Sequence, residues 1–497
     1  MAKKLIFILI LVVLLGALGI TLTLLGKDTP AASSPVPNLP DIEYLVNFQG
    51  DEFEGIASVL VKNNTGEYIV LGGDSPSIAG YESLISNTYP LFRITNLAAA
   101  LVSRGLVVED GADLAVYGLD QPRAEVQVQP NKGSGAVLYI GNNAPDGISV
   151  YLRKEGDPAV YQAGRGDAET FMQGIFDFVD KQVSPQLEDD GYGGFEFERI
   201  TLGGTVRPDG IVTVIYQSQE NVQTGRIKTL YRVAGPQTEG SLNMDKGYNA
   251  LKAISGISAD KAVARVGVNT WQELAPFGLD KPYSTVSISG IVVPDGNLVS
   301  TTPGQSRGSF SLRSSKPDSN GNVYMYREGT ELVYQVAAAN LTWLEVSWWD
   351  LMERLIILPF IDDIAQVEVN TPARSVAFKL DGESDELIVE AHSTAPTQNV
   401  VVDTAFFRSY YQTLLTALYE EYTEERPSAG AKPFLEIVYN YRDGHTPDRV
   451  SFYSTASRRV LVSLNGGRPF YTFSAYTDKV LADLDRILGG QKVLPYL

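Results

Sequence analysis

The longest apolar stretch of the chain lies close to its start. From Leu5 to Leu25 the sequence contains only apolar residues, Gly and two Thr, and it carries no charge. A helix needs about 20 such residues to cross a hydrocarbon core of about 30 Å. The stretch therefore predicts one transmembrane helix.

The charges that flank this stretch predict its orientation. Lys3 and Lys4 precede it, whereas Lys27 behind it is offset by Asp28. By the positive-inside rule the N-terminus is cytoplasmic and the bulk of the chain is extracellular. A cleaved signal peptide is the alternative, but its apolar region usually spans about 7–15 residues. We expect an uncleaved single-pass anchor in the cell membrane over residues 1–27.

The residues behind the anchor predict a tether. Residues 28–40 are rich in Pro, Ala and Ser and contain no long apolar run. Such a composition favours an extended linker.

One short phrase, Gly-Leu-Asp-x-Pro, occurs twice beyond the tether. Each residue type suits a turn, because Gly allows unusual dihedral angles, Asp forms local side-chain bonds and Pro fixes φ. Apolar residues alternate directly after both copies, which predicts a half-buried strand. The copies are Gly118-Leu119-Asp120-Gln121-Pro122, followed by Val126 and Val128, and Gly278-Leu279-Asp280-Lys281-Pro282, followed by Val286 and Ile288.

A second pattern, a glycine turn followed by a strand with a central tyrosine, occurs three times. The turns contain Glu155-Gly156, Glu328-Gly329 and Gly466-Gly467. The tyrosines of the strands that follow are Tyr161, Tyr334 and Tyr471. We expect these tyrosines, with the two copies of the turn phrase, to be structural repeat residues.

Apolar residues with helical spacing follow each of these strands and predict three closing helices. The three sets are Phe171, Met172, Ile175, Phe176 and Val179; Leu341, Leu344, Trp348, Leu351, Met352 and Leu355; and Val480, Leu481, Leu484, Ile487 and Leu488.

A second helix is predicted ahead of each turn phrase. The clearest has Asp403 as its N-cap and an apolar side that extends to Leu418. Asp245 begins the equivalent helix of the second repeat, and Leu97 and Leu101 mark that of the first.

These patterns divide the chain into three tandem modules, over residues 41–190, 196–362 and 363–492. The third is divergent, since it lacks the Gly-Leu-Asp part and keeps only Lys432-Pro433 before its strand. The order of strands and helices predicts α+β modules of mainly antiparallel sheet with packed helices.

Composition narrows the classes of function. The chain has 497 residues, and 40 Lys and Arg against 59 Asp and Glu give a formal charge of −19. Such an acidic surface repels nucleic acid. The sequence contains no cysteine, which excludes disulfides, thiolate metal sites and a cysteine nucleophile.

Few residues of the sequence match catalytic or metal-binding motifs. Residues 304–308 match Gly-x-Ser-x-Gly, but they precede a strand as a hairpin loop does, unlike a nucleophile elbow. His392 and His445 have no second His at metal-binding spacing. The loop that begins at Asp318 has its Gly at the fourth position, unlike a calcium loop. We predict no catalytic, cofactor or metal site and no enzyme activity.

Acidic and aromatic pairs are interpreted as structural. Glu420-Glu421 and Glu424-Glu425 follow a helical stripe and suit its solvated end rather than a pair of glycosidase carboxylates. Trp348 lies on an apolar stripe and suits core packing, whereas Trp349 is offset and suits the surface.

Together, the turn phrase, the strand after it, the turn and tyrosine strand and the closing helix resemble a bacterial domain family of unknown function, number 4340. The resemblance covers residues 117–180 and 277–355 best. It implies an N-terminal anchor and a role as an auxiliary component of an ABC-type transporter, and it brings no catalytic residues.

The leading functional hypothesis is a membrane-anchored extracytoplasmic binding or scaffold protein that serves an ABC-type transport system. Its partners would be the membrane, through Leu5 to Leu25, and a transporter permease or an envelope component. The alternative is a cell-envelope protein that binds or acts on carbohydrate.

We expect the anchor to be retained. Fractionation of cells with an antibody against the last module should find the full-length chain in the membrane fraction, because no cleavage separates the anchor from the rest. A form in the culture medium that is shorter by about 30 residues, as a signal peptidase would produce, would contradict this prediction.

Overall fold

In a computed structural model the described residues form two compact units, which divide between Phe178 and Val179. The structure describes residues 43–191, 193–217, 230–236, 239–293, 300–301, 307–382, 386–456 and 459–493. The predicted anchor, the tether and residues 304–306 of the Gly-x-Ser-x-Gly match lie outside these ranges. Within them, no helix has the length and apolar character that a membrane span requires.

The first unit contains a nine-stranded sheet with helices between its strands. Its strands are β1 (Tyr44–Asn47), β2 (Ile56–Asn63), β3 (Gly66–Leu71), β4 (Ser77–Ile78), β5 (Ala100–Val108), β6 (Ala124–Pro130), β7 (Ala136–Asn143), β8 (Ser149–Lys154) and β9 (Val160–Gly164). Its helices are α1 (Tyr89–Ala99), α2 (Leu114–Tyr117) and α3 (Arg165–Ala168), with 3-10 turns at Glu82–Leu84, Glu169–Met172 and Ile175–Asp177.

The second unit begins with a ten-stranded sheet. Its strands are β10 (Arg199–Gly203), β11 (Val212–Tyr216), β12 (Tyr231–Ala234), β13 (Glu239–Ser241), β14 (Lys261–Arg265), β15 (Ser284–Ile291), β16 (Ser300–Thr301), β17 (Gly308–Ser314), β18 (Asn322–Arg327) and β19 (Leu332–Ala337). Its helices are α4 (Lys246–Lys252), α5 (Trp271–Leu274) and α6 (Trp348–Leu351), with 3-10 turns at Ala275–Phe277 and Ala338–Asn340.

The same unit contains a further sheet of eight strands. These are β20 (Ile364–Asn370), β21 (Ser375–Asp381), β22 (Ile388–Thr394), β23 (Thr397–Val402), β24 (Leu435–Tyr441), β25 (Asp448–Ser454), β26 (Val460–Leu464) and β27 (Phe470–Thr472). A 3-10 turn at Ile361–Asp363 precedes them, and the helices are α7 (Thr404–Leu414) and α8 (Ser474–Leu488).

The three sheets share a central arrangement in which two antiparallel meanders lie side by side, but their outer strands differ. In each sheet the first strand of one meander pairs with the first strand of a second meander, at β2–β6, β10–β15 and β20–β24. Beyond the second meander the first sheet has β5 and β1 and the second sheet has β14, whereas β27 is the edge of the third sheet. The orders are β4-β3-β2-β6-β7-β8-β9-β5-β1, β13-β12-β11-β10-β15-β17-β18-β19-β14 and β23-β22-β21-β20-β24-β25-β26-β27. Antiparallel sheets with helices agree with the predicted α+β class. The boundaries of the three modules stay predictions.

Period-2 alternation identified the central strands correctly. Val126 and Val128 of β6, and Val286 and Ile288 of β15, are buried, while the residues between them are partly or fully exposed. Full burial of such a side chain contributes roughly 1.5–3 kcal/mol.

Two of the three predicted closing helices are wrong. In the first module Gln173 and Gly174 separate two 3-10 turns, and the Gly174 N–H donates to the Asp177 carboxylate at 2.8 Å. In the second module α6 has one turn, because Met352 and Leu355 enter β-bridges. The third closing helix, α8, is confirmed.

The earlier helices agree with prediction in part. The Asp403 carboxylate caps α7 by accepting from the N–H groups of Ala405 and Phe406. The predicted helix was too long, since α7 ends at Leu414 and Leu418 forms a bridge with Leu355. Leu101 lies in β5 and not in a helix. Before α4, Asn243 accepts the N–H groups of Asp245 and Lys246.

In each sheet a polar side chain near the first hairpin holds the segment that follows the last strand. The Asn63 amide donates to the carbonyls of Phe171 and Gln173, both at 2.9 Å. Arg374 pairs with Asp485 of α8. These contacts fix the ends of a module to each other.

Arg207 makes the equivalent contact in the ten-stranded sheet, and it is buried. Its guanidinium donates to the carbonyls of Trp343 at 2.9 Å and Val346 at 3.0 Å. It also donates to the Gly203 carbonyl at 2.8 Å and to the Ser284 hydroxyl at 2.9 Å. Burial lowers the pKa of Arg207 to about 10.

Arg207→Met should destabilise the second unit. The substitution leaves several buried carbonyls without a donor, which should lower the free energy of unfolding by about 2–5 kcal/mol. Arg199→Met is the matched control, because Arg199 is exposed on β10, and it should change that energy by less than about 0.5 kcal/mol. Calorimetry checks both, and equal melting of the two variants would refute the role of Arg207.

Candidate functional site

The two copies of the turn phrase occupy the same place in two sheets. Each follows a helical turn and leads into the central strand, β6 or β15. Gly118 and Gly278 end the turns with φ of 66° and 68°. This left-handed conformation favours glycine.

The leucine after each glycine anchors the turn. The Leu119 N–H donates to Leu114 O at 2.9 Å, and the Leu279 N–H donates to Leu274 O at 3.2 Å. Both leucine side chains are buried. The turn is therefore held by backbone bonds and apolar packing.

The aspartates of the phrase do not form the local side-chain bonds that turn chemistry suggested. Asp120 and Asp280 are exposed, and within the described part of the chain neither carboxylate accepts a hydrogen bond. Pro122 and Pro282 are half-buried just before the central strands. The geometry that the two copies share therefore depends on their glycine and leucine residues.

The three repeat tyrosines have different surroundings. The Tyr161 hydroxyl donates to Asp157 at 3.0 Å, whereas that of Tyr471 donates to Glu425. Tyr334 is buried, and burial together with Asp180 raises its pKa to about 12. The stability contributed by its neutral phenol is present below the ordinary pKa of 10.0 and is lost as pH rises through about 12.

His392 lies in a strand, whereas His445 and the Asp318 loop lie in connections between strands. His392 lies exposed on β22 beside Asn399. His445 stacks on Tyr441 at 3.9 Å between ring centroids. The Asp318 carboxylate accepts the N–H groups of Asn320 and Asn322 and closes the turn between β17 and β18. The described residues contain no group of three or more side chains suited to a metal ion.

The acidic pairs do not form the end of a helix. Glu421 lies opposite Tyr471 in a β-bridge beside β27. Its carboxylate pairs with Arg459, and Glu424 pairs with Arg468. These exposed carboxylates have lowered pKa values, chiefly because of hydrogen bonds from Arg459 to Glu421 and from Tyr422 to Glu424.

The adjacent tryptophans belong to an aromatic cluster within the second unit. Both Trp348 and Trp349 are half-buried. Trp349 stacks on Phe470 at 5.6 Å between centroids, and the Arg354 guanidinium lies 4.5 Å from the centroid of Trp349. Trp349 is thus less exposed than its offset position suggested, while Trp343 is fully buried.

The first unit contains a cleft of about 370 Å³, and we take this cleft as the candidate functional site. It lies between the first turn of α1 and the helical turns after β9. Its volume is within the roughly 300–1,000 Å³ typical of ligand pockets. The lining residues are Tyr89, Pro90, Arg93, Gly166, Glu169, Thr170 and Gln173.

The walls of the cleft are held by the core. Leu91 and Ile94 of α1 are buried under the sheet, and Phe171 is buried on the opposite wall. The Arg93 guanidinium spans the two walls, because it donates to the Gly166 carbonyl at 3.0 Å and lies 3.8 Å from the Asp167 carboxylate.

Sequence reasoning did not single out the cleft. Tyr89 and Arg93 are four residues apart, so they share one face of α1, and Pro90 marks the start of that helix. Glu169 and Gln173 line the same cleft from a distant part of the chain, and their approach depends on the folded first unit, which no local pattern reveals.

Comparison with known proteins gives one family. Residues 91–229 and 248–432 match the model of a family described as a domain of unknown function, DUF4340. The first match begins in α1 and the second in α4, so each starts inside one sheet and runs into the next. No curated protein and no solved structure matches the chain.

Substitutions in the turn phrase should show that its glycine contributes to stability and that its aspartate does not. Gly278→Ala should cost about 1–2 kcal/mol through left-handed strain alone, since the nearest atom to an added Cβ would be 3.7 Å away. Gly118→Ala should cost more, because its Cβ would lie 2.5 Å from the Asn142 side chain. Thermal unfolding of the purified chain measures both.

Asp120→Asn and Asp280→Asn are the matched controls. Both aspartates are exposed, so the two substitutions should leave stability within about 0.5 kcal/mol of the original. A larger loss in either variant would assign the aspartates a structural bond and contradict this interpretation.

Proposed function

Because this chain belongs to the DUF4340 family, whose domain has no known function, we propose a role that its own architecture supports. It acts as a membrane-anchored extracytoplasmic binding and scaffold protein, and it serves as an auxiliary component of an ABC-type transport system.

The single observation that carries this proposal is the recurrence of two paired meanders in three successive sheets. A repeated fold multiplies similar surfaces along one chain, which suits a protein that makes several contacts at once. Linked contacts raise overall affinity without requiring a strong individual site.

The sheets offer broad polar faces for such contacts. One face of the central strands β6, β15 and β20 is buried, and the other carries exposed or half-exposed polar residues. In the first sheet Lys62 lies 3.7 Å from both Glu67 and Glu125. In the second sheet the hydroxyls of Ser287 and Ser311 are 2.8 Å apart.

The proposed membrane anchor is supported by the amino-acid sequence. Leu5 to Leu25 is long enough for one bilayer span, and the preceding lysines favour an exported remainder. The formal charge of −19 suits a soluble ectodomain that does not adhere to anionic headgroups. The resemblance to transporter-associated proteins supplies the proposed partner, a permease.

In-cell photo-crosslinking tests this proposal on the full-length chain. A photoreactive amino acid replaces Lys62, Ser287 or Lys379, which lie on the outward faces of three different sheets. Mass spectrometry then identifies the captured protein. We expect a permease subunit of an ABC-type transporter from at least one of these positions.

Asn320 provides the matched control, since it is exposed at the tip of the β17–β18 turn and away from the sheet faces. Substitution there should capture less permease. Capture of wall-synthesis enzymes from the sheet positions, or of no transporter subunit at all, would contradict the proposal.

A further inference from the structure

The cleft beside the first turn of α1 has features that a scaffold role does not require. We propose that it binds a neutral oligosaccharide, with one sugar ring against Tyr89 and its hydroxyls bonded to Arg93, Glu169 and Gln173. This site goes beyond the scaffold function and does not depend on it.

Tyr89 supplies an aromatic surface. Its side chain is 78% exposed, although it stands on a helix whose inner residues are buried. An exposed tyrosine beside a cleft leaves apolar ring area in water. The C–H face of a sugar ring covers such an area while its hydroxyls stay free to bond.

The polar groups of the cleft comprise both donors and acceptors. The Arg93 guanidinium has five N–H groups, and within the described residues one hydrogen bond, to the Gly166 carbonyl, engages it. Glu169 presents a carboxylate that accepts from Arg165 at 2.6 Å, and both side chains remain about half exposed. The exposed Gln173 amide can donate and accept. Sugar hydroxyls both donate and accept, so they match this mixture.

The charges around the cleft favour a neutral ligand. Arg93 is paired with Asp167, and Arg165 is paired with Glu169, so the two arginines of these walls each have an acidic partner. The whole chain has a formal charge of −19, which opposes the approach of anions. A phosphate or carboxylate ligand would meet Glu169 with unfavourable repulsion.

The cleft is formed in advance of binding. Asn63 holds the carbonyls of Phe171 and Gln173 at 2.9 Å, and Thr170 donates to the Gly166 carbonyl at 3.3 Å. Groups held in place before binding lose less conformational entropy when a ligand arrives.

Binding of defined oligosaccharides to the purified full-length chain tests the site. The probes are chito-, cello-, malto- and xylo-oligosaccharides, and the detergent must have no sugar headgroup. Saturation-transfer NMR and calorimetry detect the millimolar to micromolar affinities expected of a small open cleft. We expect at least one of these series to bind.

Substitutions in the cleft test whether the oligosaccharide binds there. Tyr89→Ala and Arg93→Ala should each weaken it at least tenfold, while Tyr89→Phe should retain it because the ring supplies the contact. Tyr216→Ala is the matched control, as Tyr216 is 45% exposed in the second unit, and it should bind as the original does. Unchanged melting of Tyr89→Ala verifies that the fold persists.

Three results would overturn the proposal. One is failure of every oligosaccharide series to bind at millimolar concentration. Another is binding that Tyr89→Ala and Arg93→Ala leave unchanged. The third is preferential binding of an uncharged tetrapeptide over all four series. None of these results bears on transporter capture, so the two proposals can fail separately.

Discussion

The pairing of two central strands is the interaction on which each sheet depends. The pairs β2–β6, β10–β15 and β20–β24 join strands that are separated along the chain by at least three other strands and a helix. Each meander is local and forms from hairpins, but its apolar face is complete only when the two meanders share one core. The central pairing brings the largest loop-closure cost, and it gains burial on a continuous apolar face, as at Val126 and Val286. Most of the remaining pairs join strands that are neighbours along the chain, but β5 pairs with β1 and β9, and β14 pairs with β19, across long stretches of sequence.

The chain segment after the last strand is held in a different way in each of the three sheets. Asn63 bonds to a pair of 3-10 turns, Arg207 bonds to carbonyls around Trp343, and Arg374 pairs with the long helix α8. The equivalent contact is thus made by an amide in the first sheet, by a buried guanidinium in the second and by a partly exposed ion pair in the third. The three closing segments differ in structure, yet each is held by a polar contact with a residue near the first hairpin of its sheet.

Sequence patterns predicted the strands better than the helices, and the reason is physical. Alternation at Val126 and Val286 reports a half-buried strand directly, and Gly118 and Gly278 mark positions that require left-handed dihedrals. Apolar spacing around Leu351 is equally compatible with a helix and with irregular chain packed on a core, and the backbone of Met352 and Leu355 pairs with other segments instead. The cleft was not predictable, because Tyr89 and Glu169 line it from distant parts of the chain. The anchor over Leu5 to Leu25 remains a prediction from sequence.

Native-state hydrogen exchange tests most directly the claim that three sheets are built around equivalent central pairs. Amides of β6, β15 and β24 have strand partners on both sides and lie over buried cores. They should therefore exchange slowest within their own sheets, and the edge strands β4, β13 and β23 should exchange much faster. The account is contradicted if the central strands of any one sheet exchange as fast as its edge strand.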